Sequence, residues 1–192
     1  GLVRDKWERE DYRSKTIKKS LKRIEVNNDS DSLNIDNFEM SDAWAAKVFA
    51  ALNSDNIKYD SSQKQWLCWN NLIYEPLSFE KMLIKAECVP DYIKKTLIPR
   101  HEGDKDILKR YFQGICRFGN SQSACNFLKK AAGRLEVNKA ELDAKPELFA
   151  CENGVFDTKK MKFRKAQKED LITKNIPVKY DENAKCPEFL KF

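Results

Sequence analysis

The stretch ELFACENGVFDTKKMKF, residues 147–163, is the most clearly patterned part of the chain. Two short apolar runs, LFACE and VFD, flank Asn153-Gly154, a pair that suits the positive φ angles of a tight type I′ turn. The pattern therefore predicts a β-hairpin with these two residues in its turn. Because the stretch holds no histidine, serine or glycine-rich phosphate loop, its predicted role is packing and not catalysis.

Further short strand patterns lie on both sides of this hairpin. Downstream they continue to PVKYD (177–181), and a similar group occurs much earlier in the chain. That earlier group consists of IKYD (57–60), KQWLCWN (64–70) and LIYE (72–75), separated by the polar turns SSQ and NN. Together these patterns predict two small antiparallel β units, near 57–75 and 148–181.

Four segments have the apolar spacing of amphipathic helices, near 41–55, 78–97, 104–119 and 121–136. Pro90 predicts a break in the second, and Gly119-Asn120 a stop between the last two. The predicted apolar stripe of the third helix is Leu108, Phe112, Ile115 and Phe118, and that of the fourth is Phe127, Leu128, Ala131 and Leu135. The predicted class is therefore α+β, a helical middle flanked by two small β units.

The ends of the chain differ in composition from its middle. Residues 1–25 are basic with a weak helical stripe, which predicts a helical arm or tether, and residues 26–37 are rich in Asn, Asp and Ser, which predicts a linker. A compact domain is predicted from residue 38 to 192, ending in a short helix over CPEFLKF. Because the chain starts with Gly, we expect it to be a fragment of a longer protein.

The charge balance favours a nucleic-acid partner over a membrane. The formal net charge is +6, and residues 61–192 hold 25 basic against 18 acidic side chains. No apolar run approaches the roughly 20 residues that a membrane-spanning helix needs. The six cysteines form no C-x-x-C pair, which is typical of reduced thiols in a cytoplasmic protein. A solvated lysine-rich surface without a nucleic-acid partner explains the charge equally well.

Catalytic patterns are missing from the sequence. It has no G-x-x-x-x-G-K-[ST] phosphate loop, and its one histidine, His101, lies in the polar run PRHEGDKD, which predicts a solvated loop. Acidic residues concentrate in the predicted linker and the helix start that follows it. We therefore predict no catalytic centre, metal site or cofactor in this segment.

The candidate nucleic-acid-binding residues are basic side chains on the last two predicted helices and two tryptophans. They are Lys105, Lys109, Arg110, Arg117, Lys129, Lys130, Arg134, Trp66 and Trp69. Lysines and arginines track phosphates, and aromatic rings stack on bases. Two alternatives stay open: the basic residues are the solvated faces of amphipathic helices, and the tryptophans pack in the core.

Two separate parts of the chain resemble one known family. DAWAAKVFAALNSDNIKYDSSQKQWLCWNNLIYEP and the segment from LDAKPEL to CPEFLKF resemble the domain that precedes the superfamily 3 helicase core in phage, plasmid and poxvirus-type DNA primase-helicases. The resemblance covers residues 38–75 and 142–192, and the helices between them match only in character. One departure is DTKKMK, which stands where the family pattern has a second glycine turn.

The resemblance implies a non-catalytic connector domain of a phage or plasmid replicative primase-helicase. Such a domain supports DNA binding, assembly of the helicase ring, or both. Its implied partners are single-stranded or forked DNA, other copies of the parent protein and an upstream primase module, while ATP and magnesium belong to the absent motor domain. Two alternatives are a protein-interaction or oligomerisation module without DNA contact, and a small independent nucleic-acid enzyme.

Overall fold

The computed structural model describes residues 35, 37–185, 187 and 191. Its helices are α1 (Asp42–Asn53), α2 (Phe79–Ala86), α3 (Cys88–Tyr92), α4 (Lys105–Phe118) and α5 (Ser121–Ala132). Its strands are β1 (Ile57–Asp60), β2 (Gln65–Trp69), β3 (Tyr74–Leu77), β4 (Glu136–Val137), β5 (Leu148–Cys151), β6 (Gly154–Asp157) and β7 (Lys162–Arg164). The predicted arm over 1–25, nearly all of the linker and most of the final helix lie outside the described residues.

The strands form two small sheets, which confirms the predicted α+β class. The first has the order β3-β2-β1-β4, and the second has the order β5-β6-β7. Strands β1, β2 and β3 pair antiparallel as predicted, but the two-residue strand β4 joins the first sheet parallel to β1, which the sequence did not predict. From 165 to 181 the chain contains no further named strand, although Ile176 forms a single bridge with Cys151.

Helix α1 lies at the centre of the main core. Ser41 caps it by accepting a hydrogen bond from the backbone N–H of Trp44 at 3.1 Å. Its small and large apolar side chains are buried, and α1 packs along α5. The Trp44 indole also donates to the carbonyl oxygen of Ile35 at 3.2 Å, and Ile35 is itself buried. The core therefore includes a residue of the segment predicted as a linker.

The predicted break at Pro90 is wrong by a few residues. The helical path is interrupted at Glu87, and Pro90 lies in the first turn of α3. A proline is tolerated in a first turn because its missing N–H has no intrahelical partner there. After α3 the chain continues through a π-helical turn (Ile93–Leu97) and a 3₁₀ turn (Ile98–Arg100).

The apolar stripe predicted for α5 is confirmed, but the stripe predicted for α4 is partly wrong. Tyr111, Gly114 and Phe118 form the buried face of α4, and Phe112 is 58% exposed. Phe38 sets this rotation: a Cβ on Gly114 would lie 2.6 Å from its Cζ atom. The Phe38 ring also meets the Tyr111 ring edge-on at 5.1 Å.

The hairpin over 147–163 is confirmed, but its predicted turn is wrong by one residue. Cys151 pairs with Gly154, so the loop consists of Glu152 and Asn153, and Gly154 is the first residue of β6. Neither Asn153 nor Gly154 has a positive φ angle, which excludes the predicted type I′ turn. Glycine is required at 154 for space, because a Cβ there would lie 2.6 Å from the Arg164 carbonyl oxygen.

The segment DTKKMK, which departs from the family pattern, forms the turn between β6 and β7. This turn has the same form as the turn between β1 and β2. Asp60 pairs with Gln65 and Asp157 with Lys162, so each loop has four residues. The last loop residue is left-handed in both, Lys64 with a φ of 53° and Met161 with a φ of 50°. In each loop the buried aspartate accepts from the backbone of the loop: Asp60 from the N–H groups of Ser62 and Gln63, and Asp157 from that of Lys160. A non-glycine residue thus makes the second turn.

The two sheets are joined around a small second core. Ile73, just before β3, packs with Ala150, Val155 and Ile172 from the second sheet and the segment after it. The backbone N–H of Tyr74 donates to the Ile172 carbonyl oxygen at 2.8 Å. This second core covers one face of the second sheet and leaves the other face outward.

Candidate nucleic-acid interface

Helix α4 presents two predicted site residues, Lys105 and Lys109, on its outer face. Asp104 begins the helix by accepting hydrogen bonds from the N–H groups of Asp106 and Ile107, both at 3.0 Å. Because Tyr111, Gly114 and Phe118 face the core, the outer face carries Lys105, Lys109, Phe112 and Cys116, spaced as neighbours on one side of a helix. This face combines cationic side chains with an exposed aromatic ring.

Helix α5 presents Lys129 and Lys130 on a polar outer face. Asn120 caps the helix by accepting from Gln122 N at 2.8 Å, and Phe127, Leu128 and Ala131 fix its buried side. Opposite that side lie Gln122 and Asn126, joined by a side-chain hydrogen bond of 3.3 Å, together with the two lysines. Helix α5 contains no acidic residue, so the charges on its outer face are all positive.

Arg117 has a structural partner. Its guanidinium donates to Asp42 at 3.2 Å, and the Ser123 hydroxyl donates to the same carboxylate oxygen at 3.3 Å. These contacts tie the end of α4 and the start of α5 to the start of α1. A phosphate at Arg117 would therefore compete with Asp42.

The other six basic candidates are exposed and have no ion-pair partner among the described residues. They are Lys105, Lys109, Arg110, Lys129, Lys130 and Arg134. Helix α4 packs on α3 and the π-helical turn, whereas α5 packs mainly on α1. The candidates on α4 and those at α5 are therefore held in place by different parts of the core. We call these six residues the helix basic face.

The two tryptophans differ in accessibility. Trp66 is only 7% exposed and packs edge-on against the rings of Tyr59 at 4.9 Å and Phe49 at 6.3 Å. A base cannot stack on a ring in that position, so Trp66 belongs to the core. Trp69 is half-buried and tilts against Tyr74, with the ring centroids 5.2 Å apart.

The chain matches a known family over most of its length. Residues 46–192 match the family model described as D5 N terminal like. The chain belongs to the D5 N-terminal-like family. This family is the N-terminal region of D5-like primase-helicase proteins. The match continues through the helical middle, beyond the two parts of the sequence that carried the resemblance. No curated protein matches the chain significantly.

The described part of this D5 N-terminal-like domain contains no cluster of three His, Cys, Asp or Glu side chains placed to hold a metal ion. His101 is half-buried, not a solvated loop residue as predicted: its Nδ1 lies 3.1 Å from the Leu97 carbonyl oxygen and 3.2 Å from the Tyr111 hydroxyl. Burial raises the pKa of the Cys88 thiol to about 12, which keeps it protonated at neutral pH. Within the described ranges, no helix has the length and apolar character to cross a membrane.

Sequence reasoning missed a second basic region in the D5 N-terminal-like domain. The segment TKKMKFRKAQK (158–168) holds six basic residues and no acidic one. It forms β7 and the loops on both sides of it, at the edge of the second sheet. The signal that reveals it is the uninterrupted run of one charge sign, which helical spacing does not detect.

Proposed function

We propose that this chain is a non-catalytic connector domain of a phage or plasmid replicative primase-helicase, and that it binds DNA through the helix basic face. The single observation that carries the proposal is this set of six exposed, unpaired basic side chains in a member of the D5 N-terminal-like family. On this proposal the superfamily 3 ATPase motor, with its ATP and magnesium, and the primase module belong to the rest of the parent protein.

Charge availability is the physical basis of the proposal. A lysine held by a carboxylate must give up that partner to bind a phosphate, whereas an unpaired lysine need not. Each phosphate neutralised releases condensed counterions, so binding weakens with salt by a logarithmic slope of about 0.7 per contact on single strands. The six side chains of the helix basic face have no such partner among the described residues, whereas Arg117 is paired with Asp42.

Titration of labelled single-stranded and forked DNA by fluorescence anisotropy at two salt concentrations tests the proposal. The variant Lys129→Ala/Lys130→Ala should weaken binding and reduce the salt slope by about one to two units. If α4 and α5 contact one DNA molecule, Lys105→Ala/Lys109→Ala should also weaken DNA binding and reduce its salt slope.

The matched control is Lys94→Ala/Lys95→Ala, which removes the same charge from two neighbouring exposed lysines. Both of these lysines lie near Asp91, at 3.9 and 2.9 Å. An equal loss of affinity in the control would mean that net charge, and not the helix basic face, governs binding. Absence of binding at low salt would contradict the DNA-binding half of the proposal.

A second function, contact with other copies of the parent protein in a helicase ring, is supported by exposed apolar side chains. Ile84 on α2 is 65% exposed, and Phe112 lies beside Lys109 on the outer face of α4. Sedimentation velocity over a range of concentrations checks whether the chain self-associates and whether Phe112→Ser abolishes this. A monomer at every concentration would count against assembly through this domain alone.

A further inference from the structure

Three phenylalanines form one row across the outward face of the second sheet. Phe149 on β5 pairs with Phe156 on β6, which pairs with Phe163 on β7. Directly paired residues project to the same face of a sheet. The neighbouring row, Ala150 and Val155, is buried in the second core, so the phenylalanines lie on the opposite face.

This row already holds one flat ring in a stacked position. The Tyr180 ring lies 4.5 Å from the Phe163 ring at an interplanar angle of 15°, and 5.2 Å from the Phe156 ring at 29°. The third ring, Phe149, is 45% exposed and has no ring partner among the described residues. One end of the row is therefore covered, and the other end is open.

Basic side chains border the row along the edge strand β7. Of the six in residues 158–168, Arg164 is held by Asp170 and Lys168 by Asn56. Lys159, Lys162 and Lys165 are exposed, with no ion-pair partner in the part of the chain that the structure describes. Lys162 directly precedes Phe163 in β7 and projects to the opposite face, so Lys159 and Lys165 are the exposed lysines next to the row. On the other side of the sheet, Glu147 and Glu152 directly flank β5.

We propose that the outward face of the second sheet binds single-stranded nucleic acid, with a base stacked on Phe149 beside Tyr180 and the phosphates along Lys159 and Lys165, which flank β7. Base–aromatic stacking combined with a basic border is how sequence-tolerant single-strand binding is achieved. Strands β5 and β7 are two strand spacings apart, about 10 Å, a gap that adjacent nucleotides of a flexible strand bridge. The bases of a duplex are already stacked on both faces, so this site selects single strands.

The test uses the 192-residue chain and three probes of equal length: labelled oligo(dT), a labelled abasic strand with the same phosphates, and a duplex. The wild-type chain should bind oligo(dT) more tightly than the abasic strand. Phe149→Leu, which keeps an apolar side chain but removes the ring, should lower the oligo(dT) affinity about tenfold and leave the abasic affinity unchanged. Phe149→Trp should retain the oligo(dT) affinity. Phe79→Leu, the same change at a phenylalanine on α2 that is 41% exposed, should have no effect.

Three results would each overturn the proposal. They are equal wild-type affinity for the base-containing and abasic strands, an unchanged oligo(dT) affinity in Phe149→Leu, and equal losses on both strands in that variant. A shift in the sedimentation of the chain alone on Phe149→Leu, without an effect on DNA, would assign the face to a protein contact instead. Lys129→Ala/Lys130→Ala, measured in parallel, should lower the affinity for the oligo(dT) and abasic strands equally. The two variants therefore test DNA binding by the helix basic face and base stacking on Phe149 separately.

Discussion

The side-chain amide of Asn153 forms hydrogen bonds with both backbone polar groups of Tyr180. Its Nδ2 donates to the Tyr180 carbonyl oxygen at 2.9 Å, and its Oδ1 accepts from the Tyr180 N–H at 2.9 Å. The amide thus acts as a short extension of the sheet, since a neighbouring strand would offer the same donor and acceptor. With its backbone fixed in this way, Tyr180 places its ring on Phe156 and Phe163.

Asn153→Ala should therefore release the segment around Tyr180. Both hydrogen bonds are exposed, so the expected loss in the free energy of unfolding is modest, about 1 kcal/mol. Hydrogen exchange of the amides from 176 to 180 should become faster, while exchange in α1 stays unchanged. Asn175→Ala is the matched control, because Asn175 is exposed in the same segment and has no side-chain hydrogen bond to the described residues. Equal exchange rates in both variants would contradict the role given to Asn153.

Gly154→Ala should destabilise the second sheet although its backbone has no positive φ angle. The new Cβ would meet the Arg164 carbonyl oxygen at 2.6 Å and Phe163 Cζ at 2.7 Å. Forcing a methyl group into such a contact costs about 1–3 kcal/mol, which should lower the urea midpoint of unfolding. Gly133→Ala serves as control, because nothing lies within 4 Å of the Cβ that it would add. An unchanged midpoint in Gly154→Ala would show that β7 moves aside at little cost.

Met161→Gly should stabilise the protein. Met161 ends the loop between β6 and β7 in the left-handed region, with a φ of 50°, and its side chain is 75% exposed, so the substitution loses little packing. A non-glycine residue there costs about 1–2 kcal/mol relative to glycine, part of which is offset by the greater freedom of glycine in the unfolded chain. We expect a net gain of about 0.5–1 kcal/mol by urea denaturation. Lys159→Gly, in the same loop but without a positive φ, should be neutral or destabilising; a gain there as well would contradict the argument.

Local patterns predicted the elements of this fold, and long-range contacts decided the details that were missed. The buried residues of α5 follow helical spacing alone, so the sequence predicts them. The rotation of α4 depends on Phe38 packing at Gly114, a contact that no window of the sequence contains. The one-residue shift of the hairpin turn likewise involves a contact that is distant in sequence. The Asn153 side chain donates a hydrogen bond to the carbonyl oxygen of Tyr180, which is 27 residues away.

The candidate site was predictable to a similar extent. Charged side chains stay in water, so the exposure of the helix lysines follows from their identity. Strand alternation places Trp66 and Trp69 on opposite faces but cannot tell which face is covered, and only the packing of Phe49 and Tyr59 assigns Trp66 to the core. The phenylalanine row depends on strand register, and the misplaced turn would have shifted the pairing by two residues and placed Phe149 opposite Thr158.

Asp170→Asn should weaken the fold at neutral pH and flatten its response to acid. The Asp170 carboxylate is buried and accepts two hydrogen bonds from Arg164, at 2.7 and 2.8 Å, and one from Gln167 N at 3.1 Å. Burial alone would raise the pKa of this carboxyl, but the hydrogen bonds from Arg164 and Gln167 and the charges of Arg164 and Lys145 lower it overall. The substitution leaves the Arg164 guanidinium without its anion, at an expected cost of about 2–3 kcal/mol, since that side chain is partly exposed.

The pH dependence follows from the direction of that shift. A carboxyl whose pKa is lower in the folded than in the unfolded state stabilises the fold above the unfolded value, about 3.9, and loses this effect as the pH falls through the folded value. The difference in the free energy of unfolding between wild type and Asp170→Asn should therefore be constant from pH 7 to about 5 and should narrow below about 4. Urea unfolding across this range measures it. A difference that stays constant down to pH 3 would mean that Asp170 stabilises the fold through its shape and hydrogen bonds and not through its charge.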